Sequence, residues 1–208
     1  METKLRDWGF VFKHERKKLA AALIIFAIAI TLYLLAGDYV SEHAGIAVPD
    51  LILDSIGPYD LGFIFVWLYI LVIALFLIHP IIINPREFPY ILNMFSLFIA
   101  VRSWFILFTH LIPPHDAIIV HFPSYFNLLN FSNDMFFSGH AGLTFLGFLI
   151  YRRYSKTMSY FMLASSFVLA ITVLLMHVHY SIDVFSAYFI AYGIYRFGNF
   201  IYAKIKSD

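Results

Sequence analysis

The sequence predicts an all-α, polytopic membrane bundle of six transmembrane helices with both termini in the cytosol. Three observations carry that prediction. First, 62% of the residues are hydrophobic and only 13% charged, whereas ordinary soluble domains run near 25% charged. Second, aromatics make up 20% of the chain, with many Tyr and Trp residues near the ends of apolar runs, as an interfacial belt requires. Third, the Lys and Arg residues fall on alternate connections between those runs.

The elements follow in order. Residues 1–18 form a basic, amphipathic cytosolic segment carrying Lys4, Arg6, Lys13, Arg16, Lys17 and Lys18. Residues 19–208 read as a single six-helix membrane domain with apolar segments near 19–37, 61–79, 90–112, 136–151, 159–177 and 184–203. Most approach the ~20 residues a spanning helix needs, and the fourth is the shortest. The first run is longer than a signal-peptide core and lacks a convincing cleavage site, so it reads as a retained anchor. No segment reads as a strand. The absence of cysteine excludes disulfides, thiolate catalysis and cysteine metal sites, and no basic face argues for nucleic acid.

Orientation comes from the cations. Beyond the N-terminal group, Arg86 lies between segments two and three, Arg152, Arg153 and Lys156 between four and five, and Arg196, Lys204 and Lys206 near the end. All map to one side of a six-span arrangement, the cytosolic side by the positive-inside rule. The opposite side carries Asp38, Glu42, Asp50, Asp54, Asp60, Asp116 and Asp134. Arg102 is the exception. It lies inside segment three, about 15 Å of helix from an outer end at Ile112, too far for easy snorkelling. It is expected to face a polar cavity and pair with an anion, from the protein or from a substrate phosphate.

Two polar islands stand at outer ends of segments: Asp134-Met-Phe-Phe-Ser138-Gly139-His140 and His177-Val-His179-Tyr180-Ser181-Ile-Asp183. In a helix, His179 and Asp183 are one turn apart and share a face. Asp183 can then hold one ring nitrogen of His179 and leave the other nucleophilic. Gly139 permits close backbone approach, amides at the start of segment four can receive phosphate oxygens, and His140 can serve as acid and then base. Singly, each island has a plainer reading: Ser-Gly-His as a helix cap, His-x-x-x-Asp as an ion pair. Their conjunction with an intramembrane arginine favours chemistry. Structural or interfacial roles suit His43, His115 and His121 better, and no HExxH spacing suggests a metal site. Tyr125, Phe126, Phe136 and Phe137 could cage a quaternary ammonium, although packing is the simpler role. Asn130-Phe131-Ser132 is a glycosylation sequon.

From about residue 48 to 190 the chain resembles the sphingomyelin synthase branch of the lipid phosphatase/phosphotransferase (PAP2) superfamily. The resemblance rests on four blocks: Pro49-Asp50-Leu-Ile-Leu-Asp54; Arg102 with Thr109, Leu111 and Pro114; Asp134 through His140; and His179-Tyr180-Ser181-Ile182-Asp183 with Val184 and Ala187-Tyr188. It implies a catalytic triad of His140, His179 and Asp183, with His179 forming a phosphohistidine and Asp134 supporting the site. Arg102, Ser138, Gly139 and Tyr180 are the expected substrate-binding residues. The implied reaction moves phosphocholine or phosphoethanolamine from a glycerophospholipid to ceramide or another lipid alcohol, releasing diacylglycerol. It runs on the exoplasmic, lumenal or periplasmic face without metal or soluble cofactor. The expected partners are a phospholipid donor, a lipid-alcohol acceptor and the bilayer, with oligomeric state left open.

Val178 and Ala141 depart from the family, which often has an acid and a Thr there. Also absent are the phosphatase branch's Lys-x6-Arg-Pro element and its Arg six residues before the nucleophile, where this chain has Val173. That difference favours a singly charged diester over a phosphate monoester. Hydrolysis by the same site, as a phospholipase C or lipid phosphatase, and a non-catalytic lipid-binding role are the alternatives.

Overall fold

The protein is described by a computed structural model, which covers residues 2–43, 45–120, 122–123, 131 and 133–207. His121, Tyr125, Phe126, Asn130 and Ser132 lie outside the described residues. The described residues form seven helices in the order α1 (Glu2–His14), α2 (Arg16–Glu42), α3 (Gly62–Ile83), α4 (Phe88–Phe108), α5 (Gly139–Tyr151), α6 (Lys156–Leu175) and α7 (Ser181–Ser207). Short 3-10 turns lie at Leu53–Ser55 and Pro85–Glu87. Among the described residues there is no strand, only an isolated parallel bridge between Ile46 and Leu111.

Local chemistry sets the boundaries. Pro85 opens the turn between α3 and α4, and Pro89 sits in the first turn of α4, where its missing N–H costs nothing. Ser155 caps α6, its side chain accepting from the Met158 amide. The third apolar segment, expected to reach Ile112, stops being helical at Phe108. Beyond it, Thr109 is extended, and the Ile112 amide donates to Ile46 O at 3.4 Å. Pro113 and Pro114 disfavour helix just ahead of them. Arg102 therefore lies only about 9 Å of helix from the end of α4.

Among the described residues four helices are long and apolar enough to cross a membrane: α2, α3, α4 with its preceding turn, and α6. At 13 residues α5 is shorter, and α7 dilutes its apolar run with Asp183, Arg196 and several tyrosines. Large apolar side chains on α2 and α3, including Ile24, Leu35, Phe63 and Trp67, are exposed, as surfaces facing lipid would be. At the other extreme, nearly all of α5 is buried. It packs against α6 and α7 and touches α4. At Gly142 a Cβ would sit 3.0 Å from the Phe98 ring of α4, so the absence of a side chain sets that approach. The main core runs from α3 to α7 through Val72, Phe76, Phe98, Leu146, Met162 and Val173.

Helix α1 folds back on the α3–α4 turn. Trp8 Nε1 donates to Ile81 O at 3.0 Å, and Arg86 pairs with Asp7 at 2.7 Å.

At the opposite end of the bundle, Asp50 ties the α2–α3 connection to the start of α7. Its Oδ2 accepts from the Ser181 amide at 2.6 Å and hydroxyl at 2.8 Å, while Oδ1 accepts from the Ile52 and Leu53 amides. Burial opposes ionisation, but the hydrogen bonds from Ser181, Leu53 and Ile52 outweigh it and hold the carboxyl below the usual range. Asp50→Ala is expected to cost on the order of 2 kcal/mol. Because the folded value is depressed, Asp50's stabilisation is present above about pH 4 and is lost as pH falls through the folded value. Thermal unfolding in detergent, followed from pH 7 downward in parent and variant, checks both; the two curves should converge at acid pH.

Candidate active site

The two polar islands meet because the start of α5 docks on the start of α7. The Ser138 amide donates to Asp183 O at 3.0 Å. Ser138 stands at the N-cap of α5, yet its side chain makes no cap bond, and among the described residues its buried Oγ has no hydrogen-bond partner. The first amides of α5 lack intrahelical acceptors, as at any helix start, and this end of the dipole favours anions.

On the other side, α6 ends at Leu175 and α7 begins only at Ser181, so His179 lies in the turn rather than in the helix expected for it. Asp183 nevertheless reaches it. The carboxylate bends back over the first turn of α7, accepting from the Tyr180 amide at 3.0 Å through Oδ2, as in half of a capping box. The same Oδ2 lies 3.5 Å from His179 Nδ1. Asp183 is fully buried and His179 is 5% exposed.

His140 projects from the first turn of α5 toward His179, their ring centroids 6.5 Å apart. Two rings of α3 hold it: Phe65 at 4.0 Å and Tyr69 at 3.8 Å. Among the described residues its buried Nε2 has no hydrogen-bond partner. The imidazole is thus oriented by aromatic packing, with a nitrogen left available.

Arg102 takes its anion from the protein. Its Nη2 is 2.8 Å from Asp134 Oδ1 and donates to Asp134 O at 3.3 Å, while Nη1 donates to Phe137 O. Asp134 also accepts from the Tyr33 hydroxyl at 2.7 Å. Arg102 therefore braces the segment leading into α5 and turns its remaining Nε toward Gly139. A Cβ added at Gly139 would lie 3.2 Å from Arg102 Nε and 3.3 Å from the Tyr69 hydroxyl.

These groups form the polar end of a cavity of about 610 Å3. Arg102, Asp134, Gly139, His140 and His179 line that end, and Phe26, Ile30, Ile73, Leu77 and Phe95 line the apolar remainder. From Arg102 to Phe95, or from Tyr69 to Leu77, the cavity follows about 10–12 Å of helix.

Several expected residues stand elsewhere. Tyr180 does not join the cavity. Its hydroxyl accepts from the Val48 amide at 3.1 Å and donates to Ile112 O at 2.9 Å, so it braces the loops at this end of the bundle and lines a separate pocket of about 520 Å3 with Asp50, Asp54 and Asp116. His177 adopts a left-handed backbone (φ 56°). Its Nδ1 lies 2.9 Å from Asp116 Oδ1, and the imidazole beside it holds the Asp116 carboxyl below its usual range. Phe137 is buried against Phe98 and Phe105, and Phe136 packs on Phe105; neither forms a cage. His43 stacks on Tyr39 at 4.1 Å. Among the described residues no group of three or more His, Asp or Glu side chains is placed to hold a metal ion.

Phe65, Tyr69 and Tyr33 were not singled out from sequence. The available signal was the stripe Phe65, Tyr69, Val72, Phe76 at helical spacing, in which one member carries a hydroxyl. Removing one partner of a buried ion pair leaves the other uncompensated. Asp134→Leu is therefore expected to cost about 3–5 kcal/mol, and Arg102→Met combined with Asp134→Leu should recover part of that loss. Thermal midpoints of the single and double variants in detergent check this.

No curated protein and no solved structure matches the chain. Residues 132–200 match a family described as PAP2 superfamily C-terminal. The matched region contains Asp134, Ser138, Gly139, His140, His179 and Asp183, and Arg102 lies before it. Over that stretch, about a third of the chain, the protein is similar to the PAP2 superfamily C-terminal family.

Proposed function

We propose that the chain is an integral-membrane lipid phosphotransferase that moves a phospholipid headgroup through His179 to a lipid hydroxyl. The observation that carries this reading is the arrangement of His179 and His140. His179 has Nδ1 on the Asp183 side and its ring 6.5 Å from that of His140, at the polar end of a deep cavity with apolar walls. In this reading the phosphoryl group is bound between the two imidazoles. The apolar depth suits the chains of a diacyl donor or a ceramide-like acceptor.

The steps follow from those roles. Asp183 holds the His179 Nδ1–H, so Nε2 carries the lone pair that attacks phosphorus. The P–O bond to the diacylglycerol oxygen breaks, and His140 gives its proton to that leaving alkoxide. Asp183 offsets the positive charge on the phosphorylated imidazole. His140, now neutral, accepts the proton of the incoming lipid hydroxyl, whose oxygen attacks phosphorus. The N–P bond breaks, its electron pair returns to His179, and a new diester leaves.

Orientation comes from the charge pattern. In this reading residues 19–208 act as one membrane domain with six spans, the basic ends face the cytosol, and the two histidines open toward the exoplasmic, lumenal or periplasmic side. The headgroup carried is phosphocholine or phosphoethanolamine.

The test is thin-layer analysis of purified protein in liposomes of phosphatidylcholine and phosphatidylethanolamine with fluorescent ceramide. The expected product is a ceramide-phosphoryl lipid with equimolar diacylglycerol. Diacylglycerol with a free phosphorylated headgroup would identify water as the acceptor. Absence of any lipid turnover would sink the reading. His179→Ala is expected to lower turnover by several powers of ten and Asp183→Asn by a smaller factor, with thermal midpoints measured alongside to separate chemistry from folding.

A further inference from the structure

Arg102 faces the cavity, but its charge is already matched by Asp134, and most of its donors are spent on protein acceptors. Nη1 serves Phe137 O, and Nη2 serves both Asp134 O and its carboxylate. The side of the guanidinium facing Gly139 carries Nε, with its single N–H. Among the described residues no other Lys or Arg lines the cavity. A phosphate bound between His140 and His179 needs more donors than this, and they must be neutral.

Tyr69 supplies one. It comes from α3, lines the cavity and places its hydroxyl 3.3 Å from the point where a Gly139 Cβ would stand; Arg102 Nε is 3.2 Å from that same point. Among the described residues the Tyr69 hydroxyl makes no hydrogen bond, although its ring packs at 3.8 Å on His140. The phenol, the guanidinium Nε and the first amides of α5 therefore converge beside the histidine that handles the proton. A Gly139 side chain would fill the space in which they meet.

Building on the phosphotransferase reading, we propose that Tyr69 is a substrate-contacting residue whose hydroxyl donates to a non-bridging phosphate oxygen, and that this neutral donor set selects a singly charged phosphodiester over a doubly charged monoester. A diester brings one negative charge into a site where Arg102 and Asp134 already cancel. A monoester brings nearly two, with no further cation to receive the second. The phenol donates without adding charge, and its O–H bond to a charged oxygen belongs to the stronger class of hydrogen bonds.

Tyr69→Phe tests this directly, because it keeps the ring on His140 and removes only the hydroxyl. In the liposome assay it is expected to lower kcat/KM on phosphatidylcholine or phosphatidylethanolamine by about 10- to 100-fold, with an unchanged thermal midpoint. The parent should also turn over either diester faster than phosphatidic acid. A second measurement does not depend on turnover: stabilisation of the detergent-solubilised protein by dimethyl phosphate, expected in the parent and abolished in Tyr69→Phe. A Tyr69→Phe variant with parental kcat/KM and parental dimethyl phosphate response would overturn the assignment. A drop of several degrees in its thermal midpoint would also overturn it, by showing that the hydroxyl has a structural partner. Preference of the active parent for phosphatidic acid would remove the charge selection. If the parent turns over no lipid, the phosphotransferase reading fails, and the dimethyl phosphate measurement alone decides whether Tyr69 contacts phosphate.

Discussion

An arginine buried in an apolar bundle has to be matched by an anion, and the position of the candidate site depends on how this chain satisfies that demand. Asp134 and two backbone carbonyls of the segment ahead of α5 close on the Arg102 guanidinium. Tyr33 then fastens Asp134 to α2. A single buried charge on α4 thus ties together three parts of the structure that are far apart in sequence. The consequence is positional. With residues 134–137 pinned to α4, α5 starts at Gly139 and delivers His140 to the aromatic face of α3.

A second economy lies in Asp183. One carboxylate oxygen satisfies the Tyr180 amide at the start of α7 and lies within reach of His179. The backbone carbonyl of the same residue receives the Ser138 amide from the other island. Helix capping, imidazole orientation and the docking of α5 on α7 therefore converge on one residue. Asp50 reinforces that junction from the α2–α3 connection by capping Ser181. The turn that carries His179 is short and held at both ends, with His177 swung aside in a left-handed conformation.

The cavity combines two solvents. Its polar end holds an ion pair, two imidazoles, a glycine and a phenol, and its deeper wall is aromatic and aliphatic. Such a boundary suits a molecule whose reacting phosphate and hydrocarbon chains must be held at once. On the proposed reading, the near-balance of Arg102 and Asp134 favours a singly charged phosphate, because an extra unpaired charge is costly in a low-dielectric pocket.

Sequence alone determined what is local or compositional. The apolar runs, the alternating cations and the closeness of His179 to Asp183 in sequence are legible without coordinates, although His179 meets Asp183 from the turn before α7 and not through helical period. The conjunction of Ser138-Gly139-His140 with His179 and Asp183 was legible for the same reason, since each motif lies within one turn of a helix start. Only the tertiary structure decided what Arg102 pairs with, because its partner is 32 residues away and several carboxylates were equally available by sequence. It also decided that α4 ends at Phe108, where an extended segment pairs with Ile46, and that Tyr180 braces loops while Tyr69 faces the cavity. Nothing in the local pattern separates two tyrosines near apolar segments. Which hydroxyl meets a backbone carbonyl and which meets open space depends on how distant helices pack.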